Sequence, residues 1–175
     1  MNDIYLIVDR VRSLHNVGSF FRTADAFGVK KIYLCGYTGV PPRKEISKVA
    51  LGAEETVPWE KRGQTWKLVE ELQKKGVCVV ALENNVVDGS RPAMAGRTSI
   101  QRRLKPATTP IDKFRPKFPV ALVVGNEVNG VSAGVLSRCD AIVHIPMLGA
   151  KESLNVSVAA GIALYAVRYV HQLSF

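Results

Sequence analysis

The stretch from Ile145 to Tyr165 constrains the fold more than any other. It joins a short apolar strand, Ala141 to Ile145, through a Pro/Gly loop to a helix expected to begin near Ser153 and to be apolar on almost every side. Such a helix must be buried. Polar groups gather only where strand, loop and helix meet, at Ser153 and Asn155, with Ser157 one turn further on. They mark a candidate site, although Ser153 as a simple helix cap and Asn155 as a partner for backbone would account for them equally.

The rest of the chain alternates strand and helix signals. Ile4 to Val8 reads as the first strand; Val17, Phe20, Phe21, Ala24 and Phe27 then form one apolar helical stripe that Gly28 ends. Arg22 lies on the opposite face, where a solvated arginine paired with Asp25 is the ordinary reading. Lys31 to Cys35 is a second strand, Tyr37 to Pro42 a loop, Glu45 to Glu54 a helix weakened by Gly52, and Val57 to Lys61 a loop with Trp59 in the core. From Thr65 a surface helix buries Trp66, Val69 and Leu72, Gly76 closes it, and Val77 to Leu82 follows as a strand. Pro119 to Val124 is the next strand, with a glycine-rich loop from Gly125 to Ser132 and a short helix from Ala133 to Cys139. Strands apolar on both faces and alternating with helices predict an α/β fold, a mostly parallel sheet covered by helices.

One segment breaks the rhythm. Residues 84–118 hold eight Lys/Arg against two Asp, so +6 of the chain's +9 net charge is local to them. Four prolines there predict a loop or arm rather than a further strand and helix. A solvated insertion is one reading. The other is an arm that neutralises phosphates through Arg97, Arg102, Arg103 and Lys105.

At 175 residues, 47% hydrophobic and 22% charged, the chain is expected to form a single soluble domain with a real core. The basic balance favours an anionic partner, nucleic acid before membrane. Cys35, Cys78 and Cys139 form no disulfide framework or cysteine zinc site, the histidines lack metal-ligand spacing, and no metal is predicted. No nucleotide-binding Gly-x-Gly-x-x-Gly or Walker loop is present. The opening residues lack the features of a secretory leader, and a cytoplasmic location is expected.

Three segments carry a resemblance. The run Asn16 to Ala26 contains Asn-x-Gly-x-x-x-Arg, Gly125 to Gly130 contains Gly-x-Glu-x-x-Gly, and Ile145 to Tyr165 contains the Ser-Leu-Asn-Val-Ser stretch. In this order they resemble the three motifs of the SpoU family of RNA ribose 2′-O-methyltransferases, of the SPOUT class. Val128, where many relatives carry glycine, departs from the pattern, as does the long basic connection.

The resemblance implies a C-terminal deep trefoil knot that binds S-adenosylmethionine, and methyl transfer to a ribose 2′-hydroxyl of tRNA or rRNA, with tRNA ranked first. It places Asn16, Arg22, Glu127, Ser153 and Asn155 on the reactive side, and Leu82, Gly125, Asn126, Ile145, Met147, Ser153 and Leu154 around the cofactor. A guanidinium titrates above about 12 and is a poor base, so Arg22 is read as a clamp on substrate phosphate and Glu127 as an orienting group. Family members pair through the last helix, and a homodimer is expected. The competing reading is a noncatalytic RNA-binding or ribosome-assembly protein that keeps the fold.

Overall fold

The computed structural model describes residues 2–84 and 108–170. Seven strands form one sheet in which every pairing is parallel: β1 (Ile4–Asp9), β2 (Lys31–Cys35), β3 (Trp59–Arg62), β4 (Cys78–Leu82), β5 (Thr109–Pro110), β6 (Val120–Val124) and β7 (Ala141–His144), in the order β3-β2-β1-β6-β4-β7-β5. β6 therefore lies between β1 and β4, with Val8 opposite Val124 and Ala81 opposite Val123. All carboxyl ends share one edge, where ligands of open parallel sheets bind.

Successive strand residues point to opposite faces, and each face has its own core. On one side Leu6, Val8, Leu34, Leu122 and Val124 meet Val17, Phe20, Phe21 and Ala24 of α1 (Leu14–Ala26), together with α2 (Lys44–Ala50), α3 (Ala53–Thr56) and α6 (Val156–Tyr165). On the other, Ile7, Val79, Ala81 and Val123 meet Leu68, Val69 and Leu72 of α4 (Thr65–Lys74) and Val135 of α5 (Ala133–Leu136). The α1 stripe packs as its spacing predicts, and Ser13 caps the helix by accepting the Asn16 N–H at 3.3 Å.

Several boundaries differ from expectation. Val57 to Lys61 is not a loop, because Trp59–Arg62 pairs with β2 as a short polar edge strand. The expected helix at Glu45 to Glu54 is split by Leu51 and Gly52, both at positive φ. In α4 the buried stripe is Thr65, Leu68, Val69 and Leu72, and Trp66 faces outward. Within the basic segment Thr109–Pro110 pairs with β7 as a two-residue strand.

The last helix begins at Val156, not near Ser153: Asn155 is its cap, accepting the Ser157 N–H at 2.8 Å, and Ser153 belongs to the preceding loop. Nor is the helix buried all round. Ala160, Ala163 and Leu164 pack into the α1 side, while Val158, Ile162, Tyr165 and Tyr169 are 51%, 41%, 49% and 39% exposed. Ala166–Val170 continues the helix as a wider π-turn, from which Arg168 donates to the carbonyl oxygens of Phe27 and Gly28 at the end of α1. Among the described residues no helix is long and apolar enough to cross a membrane.

Leu164→Ala is expected to lower the free energy of unfolding by about 2–5 kcal/mol in a denaturant titration, and a value near zero would show that α6 does not pack on α1.

Candidate active site

The carboxyl edge of the sheet is organised by the loop after β6. Asn126 and Gly130 close it through reciprocal backbone hydrogen bonds of 3.0 and 2.9 Å, and the Asn126 side chain accepts the amides of Val128 and Asn129. Two carboxylates from the flanking strands hold its far side. Glu83, just past β4, accepts the Val131 N–H at 2.9 Å, and Asp9, the last residue of β1, accepts the Ser132 N–H at 3.1 Å and the Thr65 hydroxyl at 2.6 Å.

This loop presents Glu127 to the start of α1. One carboxylate oxygen accepts the Ser13 N–H and the Asn16 side-chain amide, both at 3.1 Å; the other accepts the Arg12 N–H at 3.2 Å. Asn16, 8% exposed, in turn accepts from Asn155 Nδ2 at 3.2 Å. Asn155 ends the chain by accepting both the N–H and the hydroxyl of Ser157. The loop after β6, the start of α1 and the cap of α6 are thereby joined by one polar relay, Glu127–Asn16–Asn155–Ser157.

Beside the relay lies a cavity of about 160 Å³, walled by Leu82 and Glu83 after β4, Gly125 to Glu127 after β6, and Ser153 to Val156. Of the residues assigned to the reactive side, Asn16, Glu127 and Asn155 are in contact, and Ser153 lines the cavity without a hydrogen bond in the relay. Arg22 is exposed, two turns along α1 from Asn16, and makes no hydrogen bond or ion pair with a described residue; the Asp25 carboxylate meets Thr56 instead. Of the residues assigned to the cofactor, Leu82, Gly125, Asn126, Ser153 and Leu154 line the cavity. The Asn126 side chain is spent on loop contacts, and the Ile145 N–H and carbonyl are both taken by the side chain of Asn84, each at 3.1 Å. Met147 is half-buried in the loop after β7. Arg97, Arg102, Arg103 and Lys105 lie outside the described residues.

Sequence reasoning missed Asp9, Glu83 and Asn84. Only an acidic or amide residue at the end of an apolar strand signals them, and their partners are 48 to 123 residues away. Burial pushes the thiols of Cys35 and Cys139 up to about 12, which leaves neither as a nucleophile at neutral pH. Among the described residues no group of three His, Cys, Asp or Glu could hold a metal ion.

Burial alone would raise the Glu127 carboxyl, but its own amide, those of Ser13 and Arg12, and the Asn16 side chain outweigh this and hold it below the usual carboxylate range. A carboxyl depressed on folding contributes stability above its unfolded value of about 4.3, and that contribution is lost as pH falls through the lower folded value. Wild-type protein is therefore expected to melt above Glu127→Gln at pH 7 by a margin that shrinks below about pH 4. A margin independent of pH in thermal melts would contradict an ionised Glu127.

The chain is 33% identical over 165 residues to the 23S rRNA (guanosine-2'-O-)-methyltransferase RlmB of Coxiella burnetii, covering 94% of this chain and 58% of that protein. The crystal structure of an AdoMet-bound rRNA methyltransferase from Sinorhizobium meliloti superposes with a TM-score of 0.78 at 28% identity, over 99% of this chain and 59% of the other. A TrmH/SpoU tRNA modifying enzyme of A. aeolicus gives 0.78 at 28% identity, over 98% and 77%. The chain thus spans about three-fifths of the length of the curated relatives it matches. The SpoU rRNA Methylase family model matches residues 3–165, and the chain belongs to that family and has its knotted α/β fold.

Proposed function

We propose that this chain is a SPOUT methyltransferase domain that transfers a methyl group from S-adenosylmethionine to a ribose 2′-hydroxyl of tRNA or rRNA in the cytoplasm. The observation that carries the reading is the relay Glu127–Asn16–Asn155, which ties three separate segments together beside a cavity at the carboxyl edge of the sheet.

The cavity suits the cofactor in kind. Leu82, Leu154, Val156 and Ala159 offer apolar walls, backbone groups of the strand ends offer hydrogen bonds, and Glu83 and Glu127 supply negative charge toward a sulfonium. Its volume is below the roughly 300 Å³ of ordinary ligand clefts.

When bound, S-adenosylmethionine supplies an already activated methyl group, so the protein has to position the hydroxyl and help its proton leave. Glu127 is ill suited to accept that proton, since its oxygens already receive four amide donors and its carboxyl is held below the usual carboxylate range. Its role is to fix Asn16, and through Asn16 the Asn155 amide. Arg22, without a partner among the described residues, is free to pair with a substrate phosphate and stabilise charge developing on the hydroxyl oxygen. Arg97, Arg102, Arg103 and Lys105 are assigned to the RNA backbone on their charge.

The active form is proposed to be a homodimer. Val158, Ile162, Tyr165 and Tyr169 fall at i, i+4, i+7 and i+11, one exposed apolar stripe of α6 that a second copy would cover.

Two measurements test these points. Labelled methyl from S-adenosylmethionine is expected to enter total unmodified tRNA or unmodified rRNA at a linkage that then resists alkali. Arg22→Ala or Asn155→Ala should reduce that incorporation by about 10²-fold or more. Cofactor binding without transfer to either pool would favour a noncatalytic RNA-binding or assembly role. In sedimentation, the wild type is expected to be a dimer at micromolar concentration and Ile162→Asp a folded monomer; a wild-type monomer would remove the dimer from the proposal.

A further inference from the structure

Tyr37 opens the loop after β2 and has no part in the relay, yet it is fixed against it. The residue is 54% exposed. Nevertheless its hydroxyl accepts from Asn126 Nδ2 at 3.1 Å, and the Arg12 guanidinium stands over the ring, 5.8 Å from its centroid. Asn126 shapes the loop that carries Glu127, and the Arg12 N–H is one of the donors to Glu127. Both neighbours of the ring are thus part of the reactive edge.

The backbone beneath is specialised to the same end. Arg10 has a φ of 58°, uncommon for a residue with a side chain, and this turns its carbonyl to accept from Asn126 Nδ2 at 3.0 Å. Gly36, at φ +61°, lets the Arg10 side chain cross it, since a Cβ there would stand 2.5 Å from Arg10 Cγ. Backbone in such conformations gathers at ligand sites.

We infer that Tyr37 and Arg12 form a stacking subsite for one unpaired nucleobase of the RNA whose ribose enters the cavity. The inference rests on the proposed function. With Arg12 over one side and the residue half exposed, ring surface is left for a further planar group. Nucleobases stack on tyrosine and on guanidinium planes with little regard to sequence, and the Arg12 charge adds attraction to the phosphates. The subsite selects an unstacked nucleotide, in a loop, bulge or strand end, and not the interior of a duplex.

Equilibrium binding of the wild type, Tyr37→Phe and Tyr37→Ala to total unmodified tRNA and to unmodified rRNA tests it, with S-adenosylmethionine binding and thermal melting followed on each protein. Tyr37→Ala is expected to melt like the wild type, bind the cofactor equally and bind RNA about tenfold more weakly. Tyr37→Phe, which loses only the hydroxyl, should keep RNA affinity. An equal loss in Tyr37→Phe would show that the hold on Asn126 matters and the ring does not, and would overturn the subsite. Undiminished RNA binding by Tyr37→Ala, or weakening confined to the cofactor, would overturn it as well. If the wild type binds neither RNA, the proposed function itself fails.

Discussion

The carboxyl edge of the sheet depends on two consecutive amide groups, those of Val131 and Ser132, each held by a carboxylate from a strand beside β6. Asp9 is 1% exposed and Glu83 8%, so both charges are stabilised by these N–H donors in place of water. The glycines of the Gly-x-Glu-x-x-Gly pattern follow from that packing. A Cβ on Gly130 would fall 2.0 Å from a Glu83 oxygen, and one on Gly125 would fall 2.1 Å from the Val131 nitrogen. Close approach within the protein is enough to require glycine at both places, before any ligand is considered.

Once the loop is held from behind, Glu127 can be spent on the front. It collects amides from a chain turn that precedes it by more than a hundred residues, and this is what joins the β1–α1 connection to the β6 loop. The resulting relay contains no group suited to take a proton at neutral pH. Its members are amides, a hydroxyl and a carboxylate held ionised. The chemistry assigned to this edge is accordingly one of alignment, with charge stabilisation left to a cation that the relay does not neutralise.

Much of this was legible in the sequence. The stripe Val17, Phe20, Phe21, Ala24 packs as read, and the central strands fall close to their apolar runs, because burial on two faces leaves little freedom of register. Asn155 is marked by the polar cluster before the last helix, Asn16 and Glu127 only by the family resemblance, and the hydrogen bonds between them do not follow from spacing. β3 escaped because an edge strand reading Trp-Glu-Lys-Arg has no apolar alternation. Trp66 was placed inside because helical period alone does not fix phase; the sheet chose Leu68 and Val69. Asp9, Glu83 and Tyr37 were missed for one reason: each acts only through partners far along the chain, and locally reads as the end of a strand or the start of a loop.

The C-terminal helix shows what an all-apolar sequence leaves open. Its inner side is committed by Ala160, Ala163 and Leu164, and by Arg168 reaching the end of α1. Its outer stripe of Val158, Ile162, Tyr165 and Tyr169 is half exposed within the single chain, with Tyr165 and Tyr169 set edge-on against Phe27. The same helix begins at Asn155, whose side-chain oxygen caps it while its amide enters the relay. Site and stripe therefore lie on one continuous run of helix, α6 and the π-turn that follows it. A second copy on the stripe, as proposed, would bear on the same helix that presents Asn155 to Asn16. In the proposed dimer, association and alignment of the site would be coupled through that helix, whose cap holds Asn155 by two hydrogen bonds from Ser157 and one to Asn16.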